Sequence, residues 1–275
     1  MRQLDLFAER TLHVVRARRA LRDFDLAAAC EEFRATLADF PSDSAARQEL
    51  ECASALLARR DHLAQQHGDM LGAVIALRDE VPPELLAAWH RGVAREAEAL
   101  HGAGCIVQRE PAGVYWLLGG DLEQGERSLR ATLARDPGNA RARAAHGDAL
   151  YRLGDVGGAR VEYARAFAER PDGVALERIA DPEVAALGAA AACEYEVDGD
   201  PVFWVAAVGA VEGIFDVPPP TLPGLADEPT APGLLFYRAM AEHRAARTHA
   251  ERVAIRERMR RLSPTLFARY LERRR

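Results

Sequence analysis

The sequence predicts an all-α protein, and its composition and an internal repeat support that prediction. Hydrophobic residues make up 49% of the 275-residue chain, mostly Ala and Leu, whereas aromatic residues make up only 7%. Such a composition favours helices. The phrase FDLAAACEEFRATLADFP at 24–41 aligns without a gap on GDLEQGERSLRATLARDP at 120–137. Each copy ends at a proline, which stops a helix. The same helical segment therefore occurs twice in the chain.

A shorter period appears between residues 106 and 171. Three pairs of residues recur there at an offset of 34 residues: Gly113 and Gly147, Asp121 and Asp155, Pro137 and Pro171. Each copy therefore holds a helix, a Gly-Asp turn, a second helix and a proline. In the second copy Ala159, Tyr163 and Ala166 share one helix face, where two antiparallel helices approach closely.

The N-terminal copy follows the same plan, with 10–22 as its first helix and Ala29, Phe33 and Pro41 in the second. Its distance of 96 residues from the copy at 120 is not a multiple of 34, so 42–104 must be irregular. We expect helices there near 44–66, 70–79 and 84–101, without sustained strand alternation. Pro111 should shorten the next helix.

The C-terminal third departs from the period. Asp181-Pro182 suits a helix start, and Phe203, Trp204 and Phe215 form the most aromatic cluster. Six prolines between 217 and 232 predict an extended strap. One helical run is expected over 233–262, and Ser263-Pro264 begins a short helix that folds back as a cap. The predicted regions are 1–104, 105–173 and 174–275.

These repeats resemble the tetratricopeptide repeat in period, turn and proline. The resemblance implies a right-handed array of antiparallel helix pairs with a divergent helical C-terminal cap. Where the family has Trp, Leu, Gly and Tyr on the first helix, the second copy has Arg143, His146, Gly147 and Leu150. Gly147 should lie at a close helix crossing. If Arg143 faces solvent or the groove, Arg143→Ala should cost little stability.

The resemblance also implies a non-enzymatic scaffold, adaptor or assembly factor that binds a peptide or helix of another protein in a concave groove. The groove positions of the second copy are Arg141, Ala144, Asp148, Tyr151 and Arg152. Those of the N-terminal copy are Thr11, Val14, Arg18, Leu21 and Arg22, and those of the remaining copy are Val107, Glu110, Val114, Leu117 and Leu118. The family's Lys and Asn clamp for a terminal carboxylate is missing.

Several kinds of chemistry lack the residues they need. All 36 basic residues are Arg, so a Lys Schiff base with pyridoxal phosphate and a P-loop Lys are excluded. The histidines lack the i, i+4 spacing of metal ligands on a helix. The acidic stretch 194–200 resembles a calcium loop, but Val205 replaces the required Glu. We predict that the chain has no catalytic residues and binds no metal or cofactor. We also predict that the acidic stretch is a solvated turn and that the four cysteines are reduced.

Two alternatives remain open. Between 238 and 275 twelve arginines face four glutamates, a net charge of +8. This end could serve a nucleic-acid-associated regulator, bind an acidic partner or pack on the acidic body. An enzyme with an unrecognised site in 174–215 is the other alternative. The longest apolar stretch, 184–193, is too short to span a bilayer, and no signal peptide is visible, so a cytoplasmic protein without membrane contact is expected.

Overall fold

The computed structural model describes residues 2–216 and 231–273, with side chains from Thr11 onwards. These residues form helices apart from one two-stranded antiparallel pair, β1 (Ile106–Val107) and β2 (Glu110–Pro111). The prediction of an all-α fold is confirmed. The helices pack as neighbouring pairs, which is compatible with a helical repeat.

The chain divides into two compact units, Met1–Gly125 and Glu126–Arg275. No helix of the described chain combines the length and apolarity needed to cross a membrane.

The first unit is built from consecutive helices that each pack on the next. They are α1 (Arg2–Arg22), α2 (Leu26–Asp39), α3 (Ser44–His67), α4 (Met70–Ala76), α5 (Leu86–His101) and α6 (Ala112–Leu118), and α7 (Leu122–Arg135) crosses into the second unit. The helices expected in 42–104 are confirmed, with short 3₁₀ turns at 77–80 and 83–85. Val107 and Glu110 lie in the strands, not on a helix, because Pro111 delays α6 to Ala112.

The second helices of the repeats share length, turn and cap. Helices α2, α7 and α9 (Val156–Glu169) each have 14 residues. The carboxylates of Asp25, Asp121 and Asp155 each accept a hydrogen bond from the backbone N–H three residues later. Such a cap satisfies an otherwise unpaired donor of the first turn. The structure thus contains these three helices and their caps where the sequence predicts them, which is compatible with a helical repeat.

The residue before each capping aspartate adopts a left-handed backbone. Gly120 and Gly154 do so with φ of 80° and 92°, and Phe24 does so with φ of 55°. A bulky residue is strained in this region. Phe24 is buried against Gly92, where an added Cβ would come within 2.7 Å of its Cδ1. Tertiary packing thus stabilises a turn that its sequence disfavours.

The described part of the second unit (126–216 and 231–273) has seven further α-helices arranged around one core. They are α8 (Ala140–Arg152), α9, α10 (Pro182–Cys193), α11 (Val205–Val211), α12 (Pro232–Ala245), α13 (His249–Leu262) and α14 (Pro264–Glu272). The core joins Tyr163 and Phe167 of α9 to Trp204 and to Phe236 of α12, so it continues across residue 173. A Cβ on Gly147 would lie 2.7 Å from Cε1 of Tyr163, which confirms the close helix crossing.

The C-terminal end differs from its prediction in one respect. The run expected over 233–262 is two helices, because Thr248 and Glu251 form a capping box that starts α13. Helix α14 begins after Ser263 as predicted and buries Leu266 and Tyr270. Of the predicted strap, 217–230 lies outside the described residues, and Pro232 is the first residue of α12.

Candidate partner-binding surface

Asp148 on α8 is engaged inside the second unit. Its Oδ1 accepts hydrogen bonds from the Tyr163 hydroxyl and from the backbone N–H of Ala180, both at 2.7 Å. Burial raises the pKa of the Asp148 carboxyl, and these hydrogen bonds partly offset that effect. Asp148 therefore fastens α8 to α9 and to the segment before α10.

The other residues predicted on α8 differ in exposure. Ala144 is buried in the same cluster as Val174 and Ile179, so the chain's own segment after α9 shares this face. Tyr151 is half-buried and packs against the core. Arg141 and Arg152 are exposed.

Two of these side chains lack a hydrogen-bonded or salt-bridged partner among the described residues. The Tyr151 hydroxyl makes no hydrogen bond, and the Arg152 guanidinium makes no salt bridge, within the part of the chain that the structure describes. Arg152 nevertheless lies near enough to Asp148 to lower its pKa. The open part of the predicted face consists of Arg141, the accessible part of Tyr151, and Arg152.

Arg18 and Arg22 lie in the first unit, whereas the five groove residues predicted on α8 lie in the second. Arg18 forms a salt bridge of 2.7 Å with Glu49 of α3, and the hydrogen bond to Glu49 raises the pKa of its guanidinium. The carbonyl of Arg22 accepts a hydrogen bond of 2.7 Å from Nε of Arg91. Both arginine side chains are exposed, and their binding role stays a prediction.

The sequence analysis missed a buried ionic cluster on another face of α8. Arg143 is 8% exposed. Its Nη1 lies 3.0 Å from Glu162, its Nε lies 3.2 Å from Glu169, and its Nη2 donates to the carbonyl of Pro137. Arg143 therefore does not face solvent, so the condition under which Arg143→Ala was expected to cost little stability is not met.

His146 extends this cluster, which we define as Glu126, Arg143, His146, Glu162 and Glu169. Its Nε2 lies 3.1 Å from Glu126, and its Nδ1 lies 3.9 Å from Glu162, which is too far for a hydrogen bond. Burial alone would lower the pKa of His146, but the two carboxylates outweigh it and the net shift is upward. Burial would raise the pKa of Glu162, but His146 and Arg143 lower it overall.

The cluster explains how α8 departs from the family pattern. The large apolar Trp and Leu of the resembled repeat are replaced by Arg143 and His146. Helix α9 supplies Glu162 and Glu169 to Arg143, and α7 supplies Glu126 to His146. Buried charges require such partners. The sequence could have indicated this cluster, because Arg143 and His146 are polar residues at core positions of a predicted helix.

A second ionic centre fastens the C-terminal helix. Glu212, just after α11, accepts hydrogen bonds from the Tyr195 hydroxyl, from Arg269 and from Arg273. Burial raises the pKa of Tyr195 to about 12, and its hydrogen bond to Glu212 acts in the same direction. Part of the basic C-terminal end is therefore packed on an acidic residue of the same unit.

The acidic turn at 194–200 is solvated as predicted. The side chains of Glu194, Glu196, Asp198 and Asp200 are exposed, and Asp200 caps the following 3₁₀ turn. Within 2–216 and 231–273, no group of three or more His, Cys, Asp or Glu residues is arranged to hold a metal ion. All four cysteines are free thiols.

Comparison with known proteins leaves the resemblance to rest on the residues themselves. No protein-family model, curated protein or solved structure matches this chain.

Proposed function

We propose that the chain is a non-enzymatic scaffold related to tetratricopeptide proteins, which binds a segment of another protein on exposed helix surfaces. The observation that carries the proposal is the shared design of α2, α7 and α9. They have equal length and the same aspartate cap. Arrays of such helix pairs create extended binding surfaces.

The surface of α8 supplies the contacts for a partner. Tyr151 packs partly against the core, which limits the conformational entropy that it loses on binding. A tyrosine combines a large contact area with a hydrogen-bonding hydroxyl. Arg141 and Arg152 would attract an acidic segment to α8 and set its orientation, and Arg18 and Arg22 would do the same on a separate surface of the first unit.

The test is capture of a stoichiometric partner from the native host by the full chain. Tyr151→Ala should weaken that partner by roughly 2 kcal/mol, about thirtyfold, because it removes the central contact. Arg152→Glu should weaken it through charge repulsion. Arg170→Ala is the control, since Arg170 is exposed at the far end of α9 and its side chain makes no hydrogen bond or salt bridge with any described residue.

Two results would contradict the proposal. One is that the wild-type chain captures no stoichiometric protein. The other is that Tyr151→Ala and Arg170→Ala capture the same amount of partner, which would show that the α8 surface does not participate.

A further inference from the structure

Helix α13 rests on the second unit along a narrow stripe. Met259 is its one fully buried residue, and Ile255 and Leu262 pack partly against the core. These residues are spaced i, i+4 and i+7, so they share one face. The rest of α13 is accessible, which leaves most of its circumference open to a partner.

Three arginines lie together on the flank of α13 beside that stripe. Arg252, Arg256 and Arg260 are spaced i, i+4 and i+8, and all three are exposed. Their Cα atoms are separated by about 6 Å along the helix axis, so the row is about 12 Å long. We call these residues the arginine row. Val253 lies beside it and is 50% exposed.

The charge of the arginine row is only partly neutralised within the chain. Arg252 donates to the backbone carbonyls of Thr248 and Arg247, at 3.4 Å each. Arg256 donates from Nε to the Nε2 of His243 at 3.0 Å, and that acceptor is a neutral nitrogen. Neither arginine forms a carboxylate pair within the described residues. Arg260 pairs with Glu257, which also serves Arg261.

Arginines elsewhere in this region are neutralised by acidic residues. Arg258 pairs with Glu242 of α12, and Arg269 and Arg273 pair with Glu212. The carboxylates of Glu242 and Glu212 are therefore already paired with these arginines. Arg252 and Arg256, in contrast, lie on an exposed, regular helix surface without a carboxylate pair among the described residues.

We propose that the arginine row docks an acidic helix of a partner protein, with carboxylates at every fourth position facing the three guanidinium groups. A helix repeats with the same 6 Å step as the row, and arginine binds carboxylates through paired, charge-assisted hydrogen bonds. Val253 would provide an apolar contact beside these pairs. This inference rests on the proposed scaffold function, to which it adds a second surface and the charge of its ligand.

Two features favour an acidic protein helix over nucleic acid. The row is only about 12 Å long, so it neutralises few phosphates, whereas nucleic-acid affinity grows with the number neutralised. An exposed valine is of no use to a phosphate backbone. An acidic helix suits both features, because its carboxylates can pair with a short row of arginines and the aliphatic side chains between them can contact Val253.

The test uses the full chain and a fluorescent helical peptide with Glu at every fourth position and Leu beside each Glu. A second peptide has Gln in place of Glu, and a single-stranded oligonucleotide of equal charge is the third probe. We expect the Glu peptide to bind more tightly than the other two. The double variant Arg252→Gln and Arg256→Gln should weaken its binding at least about fivefold, in the range of two exposed ion pairs.

The matched control is Arg261→Gln on the same helix. Arg261 is 77% exposed and points away from the row in helical register, so its loss should leave peptide binding nearly unchanged. If the double variant does not fold, Arg252→Gln alone serves, because the Arg252 side chain bonds only backbone carbonyls.

Three outcomes would overturn the inference: no binding of the Glu peptide, equal binding by the double variant and Arg261→Gln, or tighter binding of the oligonucleotide. These outcomes are separable from failure of the scaffold function. A host partner that is captured in a Tyr151-dependent way while the peptide does not bind refutes the arginine row alone.

Discussion

Arg143→Ala tests the buried ionic cluster directly. The guanidinium lies between Glu162 and Glu169, and the side chains of the three residues are 9%, 16% and 12% exposed. Truncation to alanine removes the cation, but both carboxylates remain on α9 in a site that excludes most water. His146 stays near Glu162, and no comparable cation is left for Glu169 in the cluster.

The expected cost follows from these burial values. Removal of one partner of a buried ion pair typically costs 3–5 kcal/mol, because it leaves an unpaired buried charge. The carboxylates of this cluster retain some contact with water, so we expect the lower end, about 3 kcal/mol. Part of the loss is relieved when Glu169 takes up a proton, since burial already raises the pKa of that carboxyl. Arg143→Ala combined with Glu169→Gln should therefore recover some stability.

The assay is urea unfolding combined with hydrogen exchange of peptides from α8 and α9. A loss of 3 kcal/mol lowers a urea midpoint by roughly 1–2 M at the slopes usual for domains of this size. Hydrogen exchange confines the measurement to the second unit. Arg170→Ala is the matched control, because Arg170 is exposed and surface substitutions usually stay within about 0.5 kcal/mol.

Equal urea midpoints for Arg143→Ala and Arg170→Ala would refute this reasoning. We expect Glu169→Gln to relieve an unpaired buried charge in the Arg143→Ala background. A double variant that is less stable than Arg143→Ala alone would therefore also refute the reasoning.

Three further predictions concern packing, pH and metals. Gly147→Leu should cost roughly 1–3 kcal/mol in urea unfolding, because its side chain would meet the Tyr163 ring. Gly157→Ala should cost much less, because its Cβ would meet only Oδ1 of Asp155, at an ordinary contact distance of 3.9 Å. The folded-state pKa of His146 lies above its ordinary 6.5. Its contribution is therefore complete below pH 6.5 and lost as pH rises through the folded-state pKa, so the urea-midpoint advantage of wild type over His146→Gln should shrink with rising pH. Elemental analysis should find no stoichiometric metal, and chelator should leave the melting temperature unchanged; one bound ion per chain would contradict the non-enzymatic proposal.

The sequence by itself determined the helices and turns of the repeats. Helical periodicity, a Gly-Asp turn and a stopping proline act within a few residues of one another, so they can be read without knowledge of the fold. The helices expected over 42–104 and the start of α10 at Asp181-Pro182 were predictable for this reason. The start of α13 also depends on a local feature, the capping box of Thr248 and Glu251. The sequence analysis missed this helix start because the apolar pattern continues across it.

Only the tertiary structure decided which polar residues are buried and which neighbours they meet. Arg143 is paired with Glu162 and Glu169, 19 and 26 residues further along the chain, and helical spacing on α8 does not indicate what α9 presents to it. Phe24 adopts a backbone conformation that favours glycine, because its ring is held against Gly92 from α5. Asp148, predicted as a surface residue by resemblance, is used between Tyr163 and Ala180. Local patterns specify helices, whereas the pairing of buried charges depends on contacts between segments that are distant in sequence.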